Sequence, residues 1–170
     1  MHSSQQFFLL LFILIIPKIS YQNLVNLGPF YECNHGLKGE VFIKNEREII
    51  VKGFHYDGKA RLAWFHSMKK CTKGGVHSEI ETFLNLPNPD GNCDVLFGTP
   101  FVNQEITLIL PVSVKGMRTF GMFSYNCSNL GHVNISSDSL KDVPPAPPTL
   151  KGVTLCTLPN YPACPIGTKK

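Results

Sequence analysis

The chain has 170 residues, 43% of them hydrophobic, and its 16 Lys and Arg exceed its 12 Asp and Glu by a net charge of +4. That length suits one domain burying about 68–70% of its unfolded surface. The charge is scattered apart from Lys69, Lys70 and Lys73, which speaks against a nucleic-acid-binding stripe.

The first feature in chain order is "FFLLLFILII", residues 7 to 16, an unbroken apolar run closed by Pro17. Crossing a bilayer takes about 20 apolar residues. This run is half as long, so residues 1–22 read as a secretory signal peptide rather than a stable membrane span. Export places all six cysteines, Cys33, Cys71, Cys93, Cys127, Cys156 and Cys164, in an oxidising compartment, where an even count points to disulfides. No C-x-x-C pair occurs, so neither a zinc ribbon nor a thioredoxin-type motif is available.

From residue 23 to 140 the chain reads as a single all-β domain. Short stretches rich in β-branched and aromatic residues alternate as half-buried strands do: 40–44, 48–54, 60–66, 105–111, 119–127 and 132–136. Tyr56-Asp57-Gly58 and Pro89-Asp90-Gly91-Asn92 supply turn chemistry between them. Many short strands with frequent Gly and Pro predict an antiparallel β-sandwich.

Between Cys71 and Asp94 lies a long insertion with weak strand character at 81–86. A Cys71–Cys93 disulfide would close that loop and stabilise the fold by roughly 3 kcal/mol. From 141 to 170 the composition turns Pro-rich, as in "VPPAPP", and predicts an extended tail in which Cys156 and Cys164 can close a small loop. Asn126 and Asn134 each stand in an N-x-S sequon, which makes them glycosylation candidates in a secreted chain. His35, His55, His66, His77 and His132 show no metal-ligand spacing, and no metal site is expected. Without a G-x-S-x-G elbow, a hydrolytic triad has no support.

Five features in order resemble the DM-thirteen domain, a Skeletor-type extracellular module found beside DOMON domains. They are Gly28-Pro29 followed by a His-Gly-x-x-Gly turn (His35, Gly36, Gly39); Phe54, Tyr56, Asp57 and Gly58; the pair Trp64 and Phe65; Thr107, Leu110 and Pro111; and Cys127 followed by Gly131, His132 and Val133. The likeness runs from Leu27 to about Ser137. It implies an all-β fold, an extracellular setting, and a role in electron transfer or oxidative modification of cell-surface or matrix proteins. It also implies that Cys127 is the redox thiol or a haem ligand. Met122 and Asn126 stand where relatives carry Trp, and the spacing from Cys127 to Gly131 is shorter than usual.

Strand alternation puts Phe123, Tyr125 and Cys127 on one face and Met122, Ser124 and Asn126 on the other. A glycan on Asn126 would turn the second face outward and the sulfur inward. Three readings of Cys127 follow. It is a free redox thiol, with haem ligation as a variant; or half of a disulfide, with Cys33 as partner, in a non-catalytic interaction module; or an inert buried residue. By parity, a free Cys127 leaves a second unpaired cysteine, and Cys33 would then link two chains into a dimer. No other cofactor is expected, and the partners are extracellular or cell-surface proteins.

Overall fold

A computed structural model describes residues 23–31, 33–68, 83–124, 129–150 and 153–157. The leader expected over 1–22 lies outside them, as do Cys71, Asn126, Cys127 and Cys164.

Two four-stranded antiparallel sheets form the predicted sandwich. The first orders its strands β1 (Val25–Pro29), β2 (Lys38–Asn45), β3 (Glu48–Tyr56) and β6 (Phe101–Ile109). The second orders β5 (Phe83–Leu86), β4 (Trp64–Met68), β7 (Thr119–Phe123) and β8 (Asn129–Asn134). No α-helix occurs among the described residues; a single 3-10 turn spans Val114–Gly116, capped by the Ser113 hydroxyl. No described helix is long and apolar enough to cross a membrane.

Alternation along β2 and β3 sends Val41, Ile43, Ile49 and Val51 into the space between the sheets, joined there by Ile106 and Leu108 of β6. Phe65, Leu86, Phe120, Met122 and Val133 face them from the second sheet. A run of rings crosses this core. Phe101 meets Phe54 at 5.0 Å between centroids, Phe54 meets Phe65 at 5.7 Å, Phe65 stacks on Phe120 at 5.8 Å, and Phe120 meets Phe30 at 6.1 Å. Burial of each such side chain contributes about 1.5–3 kcal/mol, and the tilted and stacked ring pairs add to it.

The motif glycines shape the backbone. Leu37 N–H donates to Asn34 C=O across His35 (φ 52°) and Gly36 (φ 66°), a turn with two consecutive left-handed residues that Gly accepts without cost. Asp57 Oδ1 accepts from Lys59 N–H, and Tyr56 Oη donates to Ala60 C=O. These contacts make Asp57 the turn residue its Tyr-Asp-Gly context predicts. Gly58 (φ 72°) lies so near the 99–100 backbone that a Cβ there would stand 2.9 Å from Pro100 N.

The Pro-rich segment is attached at two places. Leu140 and Val143 join the core, and Pro144 C=O accepts from Glu46 N–H at 3.0 Å. Further on, Cys156 forms an antiparallel bridge with Asn85 of β5. The extended run expected from its composition therefore lies along the sandwich at these points.

Candidate functional site

The site is built where the two sheets meet. After β1 the chain turns toward β8, and Tyr31 exchanges backbone hydrogen bonds with His132 at 3.0 and 3.2 Å. Asn34 N–H donates to Leu130 C=O at 2.8 Å, and Asn34 Nδ2 donates to Asn129 C=O at 3.2 Å. These bonds lay Tyr31 and Asn34 along β8 and bring Cys33 beside Gly131, where a Cβ on that glycine would be 3.1 Å from the Cys33 sulfur. The absence of a side chain at 131 is what admits the thiol.

Cys33 is a free thiol on an exposed residue. Its sulfur is nonetheless tucked against Gly131, and that partial burial pushes its pKa above the ordinary thiol range. Beside it, His132 is buried, and its ring meets the Tyr31 ring at 4.1 Å. Asn129 Oδ1 accepts from Gly131 N–H, so the Asn129 amide N–H donates to His132 Nδ1 at 2.7 Å. Cys127 itself, the residue on which the sequence reading centred, lies outside the described residues.

Met122 and Phe123 lie on opposite faces of β7 as alternation predicts, but the inward face is the one that a glycan on Asn126 would have turned outward. Met122 points into the inter-sheet core, whereas Phe123 packs with Trp64, Cys156 and Val95 on the outer side of the second sheet. The face of Met122 is therefore the inner one. Every residue of β7 is buried, because chain covers the outer side of that sheet too, so a glycan-outward rule could not choose the face.

The disulfide pairing also differs. Cys93 is bonded to Cys156 across 63 residues, with Cα atoms 5.3 Å apart. Neither the Cys71–Cys93 nor the Cys156–Cys164 pairing is formed. Sequence proximity favoured closing short loops, but the returning chain docks on β5. The turn after β5, in which Asn88 Oδ1 accepts from Asp90 and Asn92 N–H, sets Cys93 beside it.

The remaining candidates are dispersed. Asn134 is exposed at the end of β8. His35 Nδ1 lies 3.6 Å from Asp57 Oδ2, and the His55 ring lies against Gly36. His66 is buried on β4, edge-on to Phe123 with ring centroids 5.6 Å apart. Among the described residues, no three His, Cys, Asp or Glu side chains gather where they could hold a metal ion. The Tyr31, Asn129 and His132 grouping was not foreseen: in sequence Tyr31 and His132 are a hundred residues apart, and the glycine that lets the segments meet was the only cue.

Fold and site together define a disulfide-clamped antiparallel β-sandwich carrying an accessible thiol at the junction of its sheets. The sequence comparison adds a relative: the chain is 29% identical over 113 residues to Skeletor isoforms B/C of Drosophila melanogaster, covering 64% of this chain and 14% of that protein. Isoforms D/E match at the same identity over 7% of their length. The chain thus spans a small part of the curated relatives it matches, and the Skeletor-type likeness read from the motifs holds over that span. No family model matches the chain, and no solved structure does.

Proposed function

We propose that this is a secreted domain that exchanges electrons with cell-surface or matrix proteins through a cysteine pair, Cys127 as the reacting sulfur and Cys33 as its partner. The observation that carries the reading is the unpaired Cys33 thiol seated against Gly131 of β8. Two residues of chain connect Asn129, at the start of that strand, to position 127, and two residues span at most about 7 Å. A disulfide needs Cα atoms about 4.4–6.8 Å apart, and the reading requires Cys127 to come that close to Cys33.

The chemistry balances without a cofactor. Two thiols, Cys33 and Cys127, become one disulfide while a disulfide in the protein substrate takes up two electrons and two protons and becomes two thiols. Partial burial pushes the Cys33 thiol up, which suits the resolving partner rather than the attacking thiolate. The apolar run at 7–16 and the Cys93–Cys156 disulfide support export, and Asn134 in its N-I-S sequon is exposed for glycosylation. Alkylation of the unreduced secreted protein followed by mass mapping tests the reading. It expects Cys33 and Cys127 either both alkylated or bonded to each other. Cys127 bonded to Cys71 or Cys164 overturns it, and a Soret band would instead assign Cys127 to haem.

The raised thiol of Cys33 also favours a second reading, a disulfide-stabilised interaction module without chemistry. Capture of a matrix partner that persists unchanged in Cys127→Ser supports that alternative.

A further inference from the structure

We propose that Cys93–Cys156 is an exchangeable latch: thiol attack at Cys93 releases the segment around Cys156 and uncovers the aromatic pair Trp64 and Phe123 on the outer face of the second sheet. This goes beyond the Cys33–Cys127 reading and uses none of its residues.

The two sulfurs sit in unlike places. Cys93 is exposed on the turn after β5, whereas Cys156 is 5% exposed and packs with Trp64 and Phe123. An incoming thiolate therefore reaches the Cys93 sulfur, and the Cys156 sulfur is the leaving group. The donor is a dithiol. Its first sulfur forms a mixed disulfide with Cys93 as Cys156 departs and takes up a proton. Its second sulfur then attacks the first, frees Cys93 as a thiol, and leaves the donor as a cyclic disulfide. Two electrons and two protons pass from donor to protein.

Among the described residues, what holds 153–157 besides that bond is slight. Cys156 N–H donates to Asn85 C=O at 3.3 Å, and around it Thr154, Leu155 and Thr157 are exposed. Upstream the chain is anchored independently, by Leu140 and Val143 in the core and by the bond from Glu46 N–H to Pro144 C=O. Opening is thus a movement of residues 153–157, and the inter-sheet core, which contains neither cysteine, stays closed.

Trp64 is the only Trp in the chain, so its fluorescence reports the latch directly. Reduction of the full-length secreted chain with dithiothreitol is expected to raise the emission and shift it to the red, as the neighbouring disulfide is lost and water reaches the indole. The far-UV circular dichroism of the sheets should be unchanged. Cys156→Ser is expected to give the same emission without reductant, and Cys93→Ser serves equally should that variant fold poorly. Acid quenching during incubation with glutathione should place the glutathione on Cys93. Unchanged emission on reduction, loss of the sheet signal together with the emission change, or glutathione on Cys156 would each overturn the proposal.

Discussion

Gly121→Ala tests the packing of the second sheet most sharply. Gly121 is the residue of β7 opposite His132 of β8. A Cβ built there would stand 2.7 Å from the His132 Cβ and 2.8 Å from its Cα, and would also run into Gly131 C=O. These obstacles are backbone or atoms fixed to it, so no side-chain rotation clears them. Ordinary contact begins near 3.4 Å, so the strands must separate by more than half an ångström, at the cost of hydrogen bonds along the β7–β8 ladder. Overpacking of this kind costs about 1–3 kcal/mol, and the rigid obstacles put the expected loss at the upper end. That is a large share of a stability of about 5–15 kcal/mol. Urea unfolding followed by circular dichroism should show a lower midpoint with an unchanged slope. Because Gly131 also bears on Cys33, the variant should label at Cys33 faster than the parent. A midpoint within error of the parent would refute the claim that a bare glycine is what lets these strands approach.

Three further outcomes follow from the same geometry. The maleimide labelling rate at Cys33 should rise about tenfold per pH unit from pH 7 toward its raised pKa, since only the thiolate reacts; a plateau below pH 8 would contradict the burial. Tyr56, whose phenol is pushed up to about 12 chiefly by burial, favours the protonated form when folded. Its stabilising contribution is therefore complete below pH 10 and lost as pH rises from there through 12; Tyr56→Phe should lose that alkaline dependence along with about 1 kcal/mol for the bond to Ala60 C=O. Replacing Cys93 and Cys156 together by Ser removes a 63-residue cross-link, for which loop entropy sets a loss of up to about 4 kcal/mol; the native state recovers part of this through the freed segment, so thermal denaturation should show a smaller deficit.

The fold was legible where one face of a strand is buried and the other wet. β2 alternates cleanly over its second half, while β3 opens with four consecutive buried residues, and both strands stand where the pattern places them. β1 was missed because its five residues, "VNLGP", mix both faces and carry a bulge near Leu27. β6 begins four residues before the alternation does, because Asn103 adopts φ 51° opposite the irregular stretch at Gly53 of β3 and breaks the period there. The weak strand at 81–86 is real over Phe83–Leu86. β7 defeated the face argument because both of its sides are covered. The disulfide partner of Cys93 was illegible for a related reason: composition describes a Pro-rich segment as extended but does not say what it lies against. Of the motif residues that carry the Skeletor-type likeness, His35, Gly36, Tyr56, Asp57 and Gly58 serve turns and close backbone approaches. The likeness is thus mainly one of framework.

The Tyr31–His132 bridge ties the β1 margin of one sheet to the β8 margin of the other, so along that side the sandwich is zipped nearly into a tube. The β5 margin is occupied by the backbone of Cys156. β6 is the outer strand of the first sheet, and no described strand pairs with its far side. There the crook at Asn103 and the exposed Glu105 discourage a foreign strand from adding on.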